Sequence, residues 1–318
     1  MSASIAARKN STNVRSIAWR AAPPVARAAV ALAPGLTAHL LVSAFLRTQP
    51  TRPDAREAAL LADAAPFSVP LAGSVVRGWA WGEGPPVYLV HGWNGHAGQL
   101  AALAGSVAAA GFRAVAFDAP GHGATGGRVS SIVHVARALE AVEAVHGPAR
   151  AVVAHSLGSA AAAYAVRRGL RAERLALIAP PVDPITYLYG MAGMLGIPAF
   201  AAVLEAELAR RVGAMGADVS ILGHADRGSH PLLVVHDRRD RETPFAGSEA
   251  LAGRWPGALL HATEGLGHRR ILADAAVSRE IVDFVRTGAA CVHGGAVHAC
   301  PQCRLERGLY ERGDRLAS

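Results

Sequence analysis

Short apolar runs recur along the middle of the chain, and most of them stop abruptly at a histidine, serine or aspartate. Val87-Tyr88-Leu89-Val90 ends at His91, Ala114–Phe117 at Asp118, Ala151–Val153 just before Ser156, and Pro231–Val235 at His236. Leu175–Ala179 and Ala258–Leu260 extend the series. Runs this short, bounded by glycine, proline or polar residues, read as buried strands rather than helices. Between them lie longer, alanine-rich stretches, Gln99–Ala110, Ser131–Val145, Leu157–Arg168 and Ala273–Val285, that read as helices. The alternation predicts an α/β chain with a mostly parallel central sheet and helices on both faces. In such a sheet, groups just past the carboxyl ends of the strands share one rim, where ligands bind.

The alternation is interrupted between Leu175–Ala179 and Leu232, where residues 184–230 read as a small helical cap. Tyr187, Leu188, Tyr189, Met191, Met194, Leu195 and Phe200 make that cap apolar. Tyr187, Met191 and Met194 are its candidate pocket residues, and flexible methionines suit a tolerant pocket. The expected organisation is an arm with a linker over residues 1–66, a body over 67–285, and a tail over 286–318.

Ser156 lies in Ala154-His155-Ser156-Leu157-Gly158-Ser159, where a strand gives way to a helix. A serine there is exposed by the sharp turn, and the free N–H groups of the new helix face any negative charge forming beside it. The ordinary alternative for such a serine is a helix cap. Asp240 and His268 stand past later strands, in His236-Asp-Arg-Arg-Asp240 and Glu264-Gly-Leu-Gly267-His268. Asp237 competes with Asp240, whose alternative role is a loop carboxylate paired with Arg238, Arg239 or Arg241. His91, His122 and His155, beside motif glycines, read as structural, and Asp118 reads as the brace of its turn.

Four motifs in order, His91-Gly-Trp93, Asp118-Ala-Pro-Gly-His-Gly123, His155-Ser-Leu-Gly158, and Asp240 followed by Gly267-His268, resemble the α/β-hydrolase family. Their chain order, Ser then Asp then His, is the one that fold uses. The resemblance covers about Phe67 to Val285 and leans to bacterial esterases and lysophospholipase-like enzymes with His-Gly-Trp at the oxyanion turn. Ala154 stands where glycine is usual, and Asp237 where glycine often follows His236. The resemblance implies Ser156 as nucleophile, His268 as base and Asp240 as its orienting acid, with the N–H groups of Trp93 and Leu157 as oxyanion donors. It also implies a cap over the site, an acyl ester or thioester substrate, and catalysis without a cofactor. A peptidase, a carbon–carbon bond hydrolase and a noncatalytic binding protein of the same fold are the alternatives.

Composition changes the picture mainly at the two ends. The 318 residues carry a formal charge of +8, but eight Lys or Arg and one acid fall within residues 1–56, and the tail adds more arginine than acid. The body is therefore near neutral, and no nucleic-acid partner is expected. Gly121-His-Gly-Ala-Thr-Gly126 spells G-x-G-x-x-G but does not open a helix directly from a first strand, so dinucleotide binding is not expected; Lys9, the only lysine, excludes a P-loop. Ala28–Leu46 is mostly apolar, broken by Pro34-Gly35 and His39. It reads as a packed helix, with an interfacial anchor and a targeting segment as alternatives, so peripheral membrane contact enters beside a cytoplasmic expectation. All three cysteines lie in the tail, where Cys291, Cys300 and Cys303 with either His293 or His298 have the donor types of a structural zinc site, and a disordered or redox-sensitive tail is the alternative.

Overall fold

The computed structural model of the chain describes residues 23–288. Its strands, in chain order, are β1 (Ala65–Leu71), β2 (Ser74–Trp81), β3 (Pro86–Val90), β4 (Arg113–Asp118), β5 (Ala151–His155), β6 (Leu175–Ile178), β7 (Leu232–Asp237) and β8 (Leu259–Thr263). Its helices are α1 (residues 23–32), α2 (Pro34–Phe45), α3 (Ala55–Ala62), α4 (Ala101–Ala109), α5 (Ile132–His146), α6 (Leu157–Arg167), α7 (Ile185–Met194), α8 (Ala201–Val212), α9 (Gly216–Val219), α10 (Phe245–Arg254), α11 (Gly267–Arg270) and α12 (Ala275–Thr287). Two compact units result. Among the described residues, one joins residues 23–46 with Ile185–Gly216, and the other joins Arg47–Pro184 with residues 217–288.

The larger unit is built on one eight-stranded sheet of order β1-β2-β4-β3-β5-β6-β7-β8. Pairings from β4 through β8 are all parallel. One set of alternating strand residues, including Leu89, Ala116, Val153, Ile178 and Val235, packs with Leu103 and Val107 of α4 and Ile281 and Phe284 of α12 in a single core. The intervening residues Tyr88, Phe117, Val152 and Leu177 are also fully buried, and α5 and α6 pack on each other and on β3. Burial on both faces explains why these strands are unbroken apolar runs. The helices are started by local chemistry: Ser131 caps α5 by accepting from the His134 N–H, and Asp274 caps α12 through the Ala276 and Val277 N–H groups.

The antiparallel strands β1 and β2 were not expected from the apolar pattern. β1 contains Pro66 and Pro70 and is only intermittently buried, as an edge strand permits. Its register puts Phe67 opposite Gly78, and a Cβ on Gly78 would fall 2.2 Å from the phenyl ring, so glycine makes room for the aromatic side chain.

The smaller unit contains α1, α2, α7 and α8. The apolar run 28–46 is two helices rather than one: Ala33 leaves the helical region (φ −149°, ψ 68°) and Pro34 starts α2, where its fixed φ and missing N–H carry no penalty. No helix among the described residues is long and apolar enough to cross a membrane. Arg211 of α8 donates to Ser43 Oγ and the His39 carbonyl, both at 2.8 Å, tying α8 to α2. The boundaries thus depart from those expected. Residues 47–66 belong with the sheet, since Gln49 and Thr51 bond to Asn94. The cap segment is also narrower than 184–230, because the Ile221 and Leu222 N–H groups return to the Val182 carbonyl.

Candidate active site

β5 delivers Ser156 into a conformation L-residues rarely adopt, with φ 51° and ψ −128°. Such strain at a strand-to-helix corner is held by its surroundings. The Ser156 N–H donates to the Ile178 carbonyl of the neighbouring strand at 2.8 Å. Gly158 lets α6 approach the end of β3, since a Cβ there would sit 2.5 Å from the His91 carbonyl oxygen. Gly92 lies equally close from the other loop, and its added Cβ would be 2.9 Å from Ser156 Cβ. Ser159, by contrast, turns its hydroxyl to the Ala154 carbonyl at 2.9 Å.

Ser156, His268 and Asp240 come together at the carboxyl edge of the sheet, on three separate loops. His268 Nε2 is 2.9 Å from Ser156 Oγ, and His268 Nδ1 is 2.7 Å from Asp240 Oδ2. The carboxylate is an acceptor, so the ring carries its hydrogen on Nδ1 and offers a lone pair to the serine hydroxyl. Asp240's side chain is fully buried and that of His268 nearly so. Burial would raise the Asp240 pKa, but N–H groups of Thr243 and Glu242 and the imidazole of His268 outweigh it and hold the carboxyl below its ordinary value. The other carboxylate oxygen, Oδ1, accepts from the Glu242 and Thr243 N–H groups at 2.7 and 3.0 Å. Of the arginines expected as alternative partners, Arg239 pairs with Glu264 and Arg238 with Glu249.

The remaining sequence candidates separate cleanly. Asp237 accepts from the Arg239 N–H, the Thr263 hydroxyl and the Leu266 N–H, and so braces the β7 and β8 loops away from His268. Asp118 accepts from the Ala97 and Ala124 N–H groups, and burial raises its pKa. His91 donates from Nδ1 to the Gly92 carbonyl and accepts the Ala119 N–H on Nε2; burial pushes its pKa down to about 4. His155 Nε2 reaches the His268 carbonyl at 2.9 Å, and the two rings stand 4.7 Å apart. Gly121–Gly126 folds as a turn around Asp118 and opens no helix. The N–H of Trp93 has no acceptor among the described residues, and that of Leu157 is the first of α6, where no intrahelical acceptor exists. Tyr187 and Met194, exposed, and Met191, part buried, lie on α7 of the smaller unit. Cys291, His298, Cys300 and Cys303 lie outside the described residues. Sequence reasoning did not single out Thr243, whose hydroxyl is 2.9 Å from Asp240 Oδ2. Nothing in a lone threonine before Pro244 marks it, because its role depends on a fold contact with His268.

This is the α/β-hydrolase fold, and two α/β-hydrolase family models match successive parts of the chain. Residues 85–220 match the family described as serine aminopeptidase, S33, and residues 215–296 the family described as TAP-like protein. Among solved structures, an esterase of Pyrococcus furiosus is 17% identical (TM-score 0.58), the match covering 75% of this chain and 98% of that one. An esterase of Exiguobacterium antarcticum is 15% identical (TM-score 0.56; 70% and 100% covered), and the thioesterase domain of the curacin biosynthetic pathway 16% identical (TM-score 0.53; 70% and 99%). At these identities the likeness is one of fold. No curated protein matches the chain in sequence.

Proposed function

We propose that the protein is a serine hydrolase that cleaves a carboxylic ester or thioester of an acyl substrate through an acyl-enzyme. The observation that carries this is the unbroken chain of contacts from Ser156 Oγ through His268 to Asp240. Ser156 Oγ attacks the carbonyl carbon while His268 Nε2 takes its proton, and Asp240 holds the imidazolium so formed. The Trp93 and Leu157 N–H groups receive the oxyanion, each worth about 2.7–4 kcal/mol of barrier. His268 then returns the proton to the leaving alcohol or thiol, and water repeats the sequence on the acyl-enzyme; no step requires a cofactor. The test is labelling of the full chain with a fluorophosphonate, followed by mapping. A Ser156 adduct that disappears in Ser156→Ala and His268→Ala supports the reading, and an unlabelled, folded protein overturns it in favour of a binding role. The S33 description of residues 85–220 favours an amide-cleaving second reading. Acyl p-nitrophenyl esters turned over faster than aminoacyl p-nitroanilides would decide for esters.

We further propose peripheral membrane contact through the arm. Val25 and Leu32, seven residues apart on α1, and Leu36 and Leu40, four apart on α2, are all more than half exposed. Arg8, Lys9, Arg15, Arg20 and Arg27 surround or precede them, with no acid before Asp54. An exposed apolar face beside basic residues suits an anionic lipid surface. Cosedimentation with phosphatidylserine vesicles, lost in Leu32→Glu/Leu36→Glu and absent with neutral lipid, is the expected result. For the tail, the three thiolates and one imidazole of Cys291, Cys300, Cys303 and His298 make a proposed structural zinc site, to be tested by the zinc content of the full chain against Cys300→Ser.

A further inference from the structure

Two imidazoles reach the same oxygen of Asp240. His268 Nδ1 stands 2.7 Å from Oδ2, and His236 Nε2 stands 3.2 Å from it. His236 is the next-to-last residue of β7 and is fully buried. Its other nitrogen, Nδ1, lies 2.7 Å from the hydroxyl of Ser248 on α10, itself fully buried. These contacts leave one tautomer. A carboxylate only accepts, so the hydrogen is on Nε2, and Nδ1 accepts from Ser248. Burial lowers the pKa of His236 against the pull of Asp240, so the ring is a neutral donor with a fixed orientation.

The other groups facing this ring are known. Thr243 Oγ1 lies 3.3 Å from Nε2, and the Phe245 ring meets His236 edge-on at 5.6 Å. Arg238 covers that phenyl ring and pairs with Glu249 at 3.9 Å. Beyond Asp240, His268 is backed by His155 and has Glu242 at 3.9 Å from Nε2. Asp240 and His268 are therefore the ionisable side chains through which His236 can act on the site.

We propose that His236 is a positioning residue of the active site: its Nε2–H is a fixed donor to Asp240 Oδ2 beside His268 and the Thr243 hydroxyl at 2.9 Å, and it sets how strongly that oxygen holds a protonated His268. The inference rests on the reading of Ser156 as nucleophile. Each hydrogen bond donated to a carboxylate stabilises its charge and so lowers the basicity that the oxygen offers its other partners. With His236 in place, Oδ2 orients the His268 ring without overstabilising its protonated form, in which the lone pair needed by Ser156 is occupied. Ser248 acts one step further back, by locking the tautomer that makes His236 a donor.

The rate of fluorophosphonate labelling at Ser156, measured on the full chain from about pH 5 to 9, reads this directly without a known substrate. In His236→Leu, Oδ2 loses a donor, so the acid limb is expected to move up by about one pH unit and the plateau rate to fall about tenfold. His236→Gln keeps a side-chain N–H at the same reach and is expected to restore at least half of both changes. Ser248→Ala is expected to move the limb in the same direction by a smaller amount. A role in packing alone would lower the melting temperature and leave the limb in place. An unmoved limb in folded His236→Leu, or a Gln variant as impaired as the Leu variant, overturns the proposal. If His236→Leu does not fold, Ser248→Ala decides, and an unmoved limb there overturns it as well. Wild-type protein that never labels at Ser156 sinks both this inference and the hydrolase reading, whereas a labelled protein with unmoved limbs sinks this inference alone.

Discussion

Two loops at the same edge of the sheet carry the same residue types and arrive at different chemistry. After β4, Asp118 sits among His91, His96 and His122, and after β7, Asp240 sits between His236 and His268. Asp118 gives its two oxygens to backbone N–H groups of Ala97 and Ala124, while the nearby His91 and His122 bond to backbone carbonyls. Its carboxylate closes a turn. Asp240 gives only Oδ1 to the backbone and keeps Oδ2 for side chains that end at a serine hydroxyl. The pKa directions follow: burial wins at Asp118 and raises it, whereas donors win at Asp240 and lower it. Which lone pairs the backbone already occupies, more than the identity of the side chain, separates a brace from a carboxylate free to face an imidazole.

The largest expected effect is on Asp240. Asp240→Asn reverses the tautomer preference of His268, and the labelling rate at Ser156 should fall by about 10⁴-fold. A loss below about tenfold would break the contrast, since it would make Asp240 another brace. Asp118→Asn should behave the opposite way. Its amide nitrogen would face an N–H donor, costing about 1–3 kcal/mol of stability by urea unfolding, while labelling stays within about threefold.

The smallest effect concerns pH and belongs to the imidazoles. His91 and His122 are lowered by burial to about 4, and His155 to about 3, from an ordinary 6.5. Between those values the unfolded chain binds more protons than the folded one, so stability is full above about pH 6.5 and falls as pH drops toward 4. The urea midpoint should therefore be lower at pH 5 than at pH 7. A midpoint that rises instead would mean that these rings are charged in the fold.

Much of the fold was legible because β3 to β7 are buried on both faces, and that burial writes continuous apolar runs that end where chemistry begins. β1 and β2 left no such trace. Edge position lets β1 keep two prolines, and its pairing depends on Phe67 finding Gly78 across the hairpin. At the site, Ser156 was marked by its strand-to-helix corner and His268 by its glycine turn. Thr243 and His236 were hidden, since any sequence window shows them as ordinary neighbours of an acid and only the folded loop turns both toward its Oδ2.

By itself the amino-acid order determined the alternation of strand and helix, the strained serine corner, the break at Pro34 and the placement of polar groups at strand ends. Each is a local matter of burial period, backbone freedom or a missing N–H. Only the tertiary structure decided that Asp240 rather than Asp237 faces His268, that a second imidazole shares its oxygen, and that residues 23–46 group with 185–216. Those outcomes depend on which donors reach a given oxygen once the loops are packed, and residues far apart in the chain supply them.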